Sequence, residues 1–217
     1  MKNSNNKKEI KLLKPHHPIG IGKKIEELFK KGQLTEGEFS DKFEKKLSLY
    51  LGNKNCVLVN SGTSALTLAY RLLDLKKNDE VISTPFTCMA TNEPLFNEKI
   101  KFKFCDIDPE TGNVCLKSIK KLINNKTKAI VVVHWGGLPV DIVKLRRIIF
   151  PRKIKIIEDA AHALGAKING KKIGNHGDYI CFSFQAIKHI TTGDGGLLVC
   201  KKKSDVKKAK LLRWFGL

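Results

Sequence analysis

The 217-residue chain has no apolar run approaching the roughly 20 residues that a membrane-spanning helix requires. Its polar, lysine-rich start shows no signal-peptide pattern either, so the expected compartment is the reducing cytoplasm. Acidic residues are scarce: 21 Asp and Glu face 41 Lys and Arg, a formal net charge of +20. An excess of this size raises nucleic acid or an anionic membrane as partners. The lysines, however, fall in scattered pairs and triplets such as Lys7-Lys8, Lys30-Lys31 and Lys120-Lys121. They lack the interleaved aromatic platform of a nucleic-acid surface, so neither partner is expected. The six cysteines contain no Cys-x-x-Cys pair and lie mostly in apolar runs, as buried free thiols do. His16-His17-Pro18 has no carboxylate or cysteine beside it and reads as a surface turn, so no metal site is expected. Internal repeats and low-complexity linkers are also missing.

What is present is an alternation of short apolar runs with helical stretches. Residues 1–14 are polar and poorly periodic, which predicts a mobile arm. Helical spacing follows over 23–31 and 40–51, the second with Phe43, Leu47 and Tyr50 on one face and Ser40 as its N-cap. Gly32 and Gly37 punctuate the connection. Strands are predicted over 56–59, 81–83, 100–104, 129–133 and 154–157, with helices over 64–73, 88–96, 116–123 and 142–149. This βαβ rhythm predicts an α/β protein with a mainly parallel sheet and helices on both faces, in one domain by length.

Residues 154–196 hold most of the chemistry. Ile154, Ile156 and Ile157 run into Glu158-Asp159, which reads as a buried strand ending in a carboxylate. A second apolar run over 180–184 contains Ser183 and delivers Lys188 to a turn rich in glycine and threonine. Ligand crevices lie outside the carboxyl ends of parallel strands, so this carboxylate and this amine can meet there. Ala186, Ile187 and Ile190 surround Lys188 with apolar side chains that would desolvate the amine and favour its use as a nucleophile. Upstream, Asn60-Ser61-Gly62-Thr63-Ser64 opens a helix at the end of the first strand. Gly62 permits close approach of the backbone, and the first amides together with the Thr63 and Ser64 hydroxyls suit a phosphate dianion. Seen alone, the same five residues also fit an ordinary Ser-capped helix.

Three segments together resemble one family, the DegT/DnrJ/StrS sugar aminotransferases, which use pyridoxal 5'-phosphate (PLP) and belong to the fold-type I superfamily. They are 60–66, similar to its phosphate-binding turn; Glu158-Asp159-Ala160-Ala161-His162-Ala163, similar to its pyridine-binding segment; and 182–188, similar to its lysine segment. The resemblance runs from about residue 32 to 217 and implies the PLP-binding large domain over 32–217, preceded by an arm and first helix over 1–31. It also implies that a small C-terminal domain is absent. By this resemblance Lys188 carries the cofactor and shuttles the proton, and Asp159 faces the pyridine nitrogen. Gly62, Thr63, Ser64 and Ser183 would hold the phosphate. His162 would contact the ring, or pack beneath the site as a satisfied histidine. Cys88 stands where the family carries an aromatic residue over the ring, with Phe86 two positions away. Related dehydratases have histidine at the lysine position, so Lys188, with His189 beside it, favours transamination. The segments 106–108 and 134–141 also resemble family segments, without a catalytic role. The implied reaction moves an amino group from an amino acid, glutamate or glutamine, to a nucleotide-linked keto sugar in amino-sugar and surface-polysaccharide biosynthesis. The implied assembly is a homodimer, with a separately encoded C-terminal half or a catalytically incomplete PLP-binding protein as the alternatives.

Overall fold

The computed structural model describes residues 14–15, 17–32 and 35–215. The predicted arm therefore lies outside the described residues except for Lys14, as does His16, while His17 is exposed. Two helices lead, α1 (Ile21–Lys30) and α2 (Glu38–Leu51). The alternation then begins with β1 (Cys56–Val59), α3 (Gly62–Arg71), β2 (Glu80–Ser83), α4 (Met89–Asn97), β3 (Lys101–Phe104) and α5 (Leu116–Leu122). It continues through β4 (Thr127–Val133), a single 3-10 turn (Trp135–Gly137), α6 (Ile142–Ile149) and β5 (Lys155–Asp159). A short hairpin of β6 (Lys167–Ile168) and β7 (Lys171–Lys172) precedes β8 (Tyr179–Ser183), β9 (Gly196–Cys200) and α7 (Lys203–Arg213).

Seven strands form one sheet in the order β1-β9-β8-β5-β4-β2-β3. The pairs from β3 to β8 are parallel, and β9 runs antiparallel between β8 and β1. The predicted mainly parallel sheet is present, and the antiparallel strand is an addition to it. Ile130, Val131, Val132, Ile156 and Ile157 are fully buried, the near-continuous apolar pattern of strands covered on both faces. One face holds Val81, Val131, Ile157 and Cys181 against Leu66, Ala69 and Tyr70 of α3, Leu95 of α4 and Ala209 of α7. The other packs Ile82, Ile130, Val132 and Ile156 against Ile119 of α5 and Ile142, Leu145 and Ile149 of α6. On that same side α2 places Leu47 and Leu51 over Ile180, Phe182 and Leu197. Truncating one of these central isoleucines to alanine would cost roughly 2–5 kcal/mol.

Three local expectations change. Helix α2 starts at Glu38 with Gly37 as its N-cap residue, so Ser40 lies inside the first turn and caps nothing. Glu38 and Asp41 there complement the helix dipole, which accounts for the earlier start. Strand β5 does not stop at its isoleucines, because ladder pairing continues to Val133 opposite Asp159. The third is α1, which spans Ile21–Lys30 where the sequence predicts a helix over 23–31; its residues are all outside the core, with Ile21, Ile25 and Phe29 exposed.

Candidate active site

Side chains alternate along a strand, so the adjacent carboxylates of β5 leave on opposite faces. Glu158 points to the face of Ile156, where it is fully buried. Its Oε2 lies 2.8 Å from Nε2 of His134, also fully buried, and its other oxygen accepts the Gly177 amide. The Val140 amide donates to His134 Nδ1 at 3.0 Å, which leaves Nε2 as the nitrogen that donates to Glu158. Asp159 points to the face of Ile157 and keeps 6% of its surface accessible. Oδ2 accepts from the Thr91 hydroxyl at 2.6 Å and Oδ1 from the Ala161 amide at 3.1 Å. The backbone also ties the two strand ends together, since the His134 amide donates to the Asp159 carbonyl.

The neighbouring strand β8 ends in Ser183, and the chain turns at Gln185, whose carbonyl accepts the Lys188 amide and whose side chain accepts the Ile187 amide at 2.9 Å. The loop is closed by Phe184, which donates to Gly195 and accepts from Thr192. Lys188 is half-buried, but Ile187 and Ile190 are 54% and 47% exposed. The expected apolar shell around the lysine is therefore not formed by these neighbours in the described chain. What faces Lys188 instead is a cleft of about 310 Å³ shared with Gly136, Ala161, His162, Ile187 and His189. Burial, and next the positive charge of Lys188, hold the His162 imidazole below its ordinary value, opposed by the negative charge of Asp159. His162 thus lies within the fields of both predicted catalytic groups.

The phosphate-like turn joins the same end of the sheet. Ser61 is the N-cap of α3, its hydroxyl accepting the Ser64 amide at 3.1 Å, which leaves the Gly62 and Thr63 amides as open donors of the first turn. A Cβ at Gly62 would stand 2.8 Å from that of Ser183, so only glycine lets this helix start close onto the end of β8. The start of α3 at Gly62 and the Ser183 side chain at the end of β8 are consequently neighbours. Ser64 behaves differently from expectation. Its hydroxyl is bound to Asn60 Oδ1 at 2.6 Å and lies 3.0 Å from Ser61 Oγ, so it serves the cap. It borders a larger groove of about 1030 Å³ between α2, α3 and α7, lined by Phe39, Phe43 and Trp214 among others. Neither Lys188 nor Asp159 lines that groove.

Cys88 is exposed at the N-cap of α4. Phe86 packs on Trp135 with centroids 4.6 Å apart and the rings tilted by 50°, and Trp135 meets His162 edge-on at 5.8 Å. Thr91 and His134 escaped the sequence reading because their partners are distant in the chain; a weak signal for the first was the i,i+4 spacing of hydroxyls at Thr87 and Thr91. Among the described residues no cluster of three or more metal-ligating side chains occurs, and no helix is long and apolar enough to cross a membrane.

Comparison with known proteins gives the same picture. The chain is 40% identical over 187 residues to UDP-4-amino-4,6-dideoxy-N-acetyl-beta-L-altrosamine transaminase of Campylobacter jejuni, covering 85% of this chain and 49% of the relative. It superposes on the crystal structure of AtS13 from Actinomadura melliaura with a TM-score of 0.91 and 40% identity, over 95% of this chain and 57% of that one. Helicobacter pylori PseC, an aminotransferase involved in the biosynthesis of pseudoaminic acid, matches with a TM-score of 0.89 and 34% identity, over 95% and 56% of the two chains. The chain thus spans about half the length of the relatives it matches. A family profile matches residues 20–217, which takes in α1 as well as the whole sheet. By that match, and by the agreement of fold and sequence with its members, the chain belongs to the DegT/DnrJ/EryC1/StrS aminotransferase family.

Proposed function

We propose that this chain forms the cofactor-binding part of a PLP-dependent aminotransferase that passes an amino group from an amino acid, such as glutamate, to a nucleotide-linked keto sugar. The carrying observation is the closure of the α3 amino end onto Ser183 at Gly62, on the same strand-and-turn unit that presents Lys188. The residue types fit the cofactor: two open amides and a hydroxyl for a phosphate, a carboxylate with acceptor capacity for a ring nitrogen, and an amine on a cleft shared with His162.

PLP, when bound, supplies the electron sink that stabilises negative charge at the substrate carbon. The protein supplies the rest. Lys188 would hold the cofactor through its amine, and as a free amine would carry the proton at the substrate carbon. Asp159 holds a proton at the pyridine nitrogen, its direction set by Thr91 and Ala161. The Gly62 and Thr63 amides with Ser183 orient the phosphate. His162 edges the cleft, where its neutral imidazole can accept or donate one hydrogen bond. The net charge of +20 favours approach of an anionic nucleotide sugar.

Because the chain spans about half of its relatives, we assign full turnover to an assembly that includes the remaining half, in the same or a separate polypeptide, and a second copy. The exposed apolar stripe Ile21, Ile25 and Phe29 of α1 supports such contacts. Free thiols at all six cysteines agree with a reducing, cytoplasmic setting. The test is the absorption of PLP titrated into the purified protein, with light scattering for assembly. A covalent-cofactor band should form with the natural chain and be lost in Lys188→Ala; an identical spectrum in both would place the attachment elsewhere and overturn the reading.

A further inference from the structure

We infer that Thr91 is the positioning residue of the Asp159 carboxylate and that Thr87 completes a one-way hydroxyl chain ending on it. Thr91 is fully buried on the inner face of α4. Its Oγ1 lies 2.6 Å from Asp159 Oδ2 and 2.6 Å from Thr87 Oγ1. A hydroxyl has one proton to give, and an ionised carboxylate has none. Thr91 therefore donates to Asp159, and Thr87 must donate to Thr91. Both dipoles then point toward the carboxylate, the arrangement in which consecutive hydrogen bonds strengthen one another.

The rest of the helix start is anchored so that this donor cannot drift. The Tyr70 hydroxyl donates to the Thr91 carbonyl at 2.7 Å. One residue on, Asn92 accepts from Ser83 at 2.6 Å and donates to the Thr84 carbonyl at 2.8 Å, tying α4 to the carboxyl end of β2. Asp159 is consequently gripped at two points, Oδ1 by the Ala161 amide of its own turn and Oδ2 by a hydroxyl from a different element. Two fixed points define the carboxylate plane, and with it the direction of the remaining lone pairs. A threonine in a helix commonly bonds back to its own preceding turn. Here that role falls to the Thr87 side chain, and the Thr91 proton is left for Asp159.

The inference rests on the proposed role of Asp159 for its catalytic meaning, while the contact itself does not depend on a cofactor. Two measurements keep them apart. The first is chemical unfolding of the chain without PLP, for Thr91→Val and Thr91→Ser, each with Asp159 and with Asp159→Asn. Thr91→Val should raise the unfolding constant roughly tenfold to a hundredfold, and clearly less once the charge at 159 is gone. Thr91→Ser should restore most of the loss in the charged background alone. The second is the absorption spectrum of bound PLP, which Thr91→Val should alter and Thr91→Ser should return. Equal losses in both backgrounds, or a serine variant no better than valine, would overturn the inference. Coupling in the first measurement with no PLP bound in the second would leave the Thr91 contact standing and remove the cofactor reading. If Thr91→Val does not fold, Thr87→Val applies the same cycle one bond farther out, where coupling of threefold or more is expected and its absence decides against the chain.

Discussion

The carboxylates of Glu158 and Asp159 stand on one strand, one residue apart, and meet different surroundings. Each accepts two hydrogen bonds, so the number of partners does not separate them. Enclosure does: Glu158 has no accessible surface and a histidine locked by a backbone amide, whereas Asp159 keeps 6% and lies close enough to His162 for its charge to act on that imidazole. Gly177 sharpens the contrast, because a Cβ there would collide with the Glu158 carboxylate. One face of the strand end is built shut and the other is built with room left over. The carboxylate proposed for chemistry thus differs from the structural one in its enclosure, not in its number of partners.

The sharpest way to break that comparison is to remove each charge in turn. Asp159→Asn should slow the half-reaction with an amino donor by about a hundredfold or more, with a smaller unfolding cost than Glu158→Ala, since the amide oxygen can still take one of the two bonds. Normal transfer in that variant would remove Asp159 from its role. Glu158→Ala should do the opposite. It strands the His134 and Gly177 donors in a dry interior, which costs about 3–5 kcal/mol in denaturant-induced unfolding, while molecules that remain folded keep their affinity for PLP. If stability survives and PLP binding fails, the two carboxylates have been assigned the wrong way round.

The smallest effect concerns pH. His162 is held below its ordinary value of 6.5 by burial and then by Lys188. The folded chain therefore binds this proton less readily than the unfolded one. The histidine's contribution is fully favourable above the unfolded value and is lost as pH falls toward the folded one. His162→Gln should flatten the change in melting temperature between about pH 7.5 and about 5.5, and Lys188→Ala should flatten it partly. A slope that ignores both substitutions would separate His162 from the lysine.

Much of this was legible in order along the chain. Helix α6 falls on its predicted residues, because Asp141 caps a clean amphipathic run by accepting the Lys144 amide. The parallel strands were visible as β-branched apolar runs buried on two faces. Strand β9 was not recognised, although Leu197, Leu198 and Val199 are fully buried, because the run follows a glycine turn directly and precedes a lysine triplet. Helix α7 is mostly polar and buries only Ala209, so its period was faint. In the candidate site, the placement of Gly62, Ser183 and Asp159 at strand or helix ends, and of Lys188 in the turn after β8, was readable from the sequence. The partners that discriminate Asp159 from Glu158 were not, since Thr91 and His134 reach them across 68 and 24 residues.

The placement of β9 between β1 and β8 has a temporal consequence during synthesis. β1 leaves the ribosome early, but its ladder partner among the described strands, β9, is made about 140 residues later, a separation that lengthens the search for the native pairing. Until then the segment that ends in the Gly62 turn has an unpaired edge, a surface on which nascent chains stick to one another. The arrival of β9 satisfies that edge and, through the Phe184–Gly195 closure, fixes the lysine loop in the same event. The turn at Gly62 and the lysine loop are thereby joined to the sheet in one event that waits on the synthesis of β9.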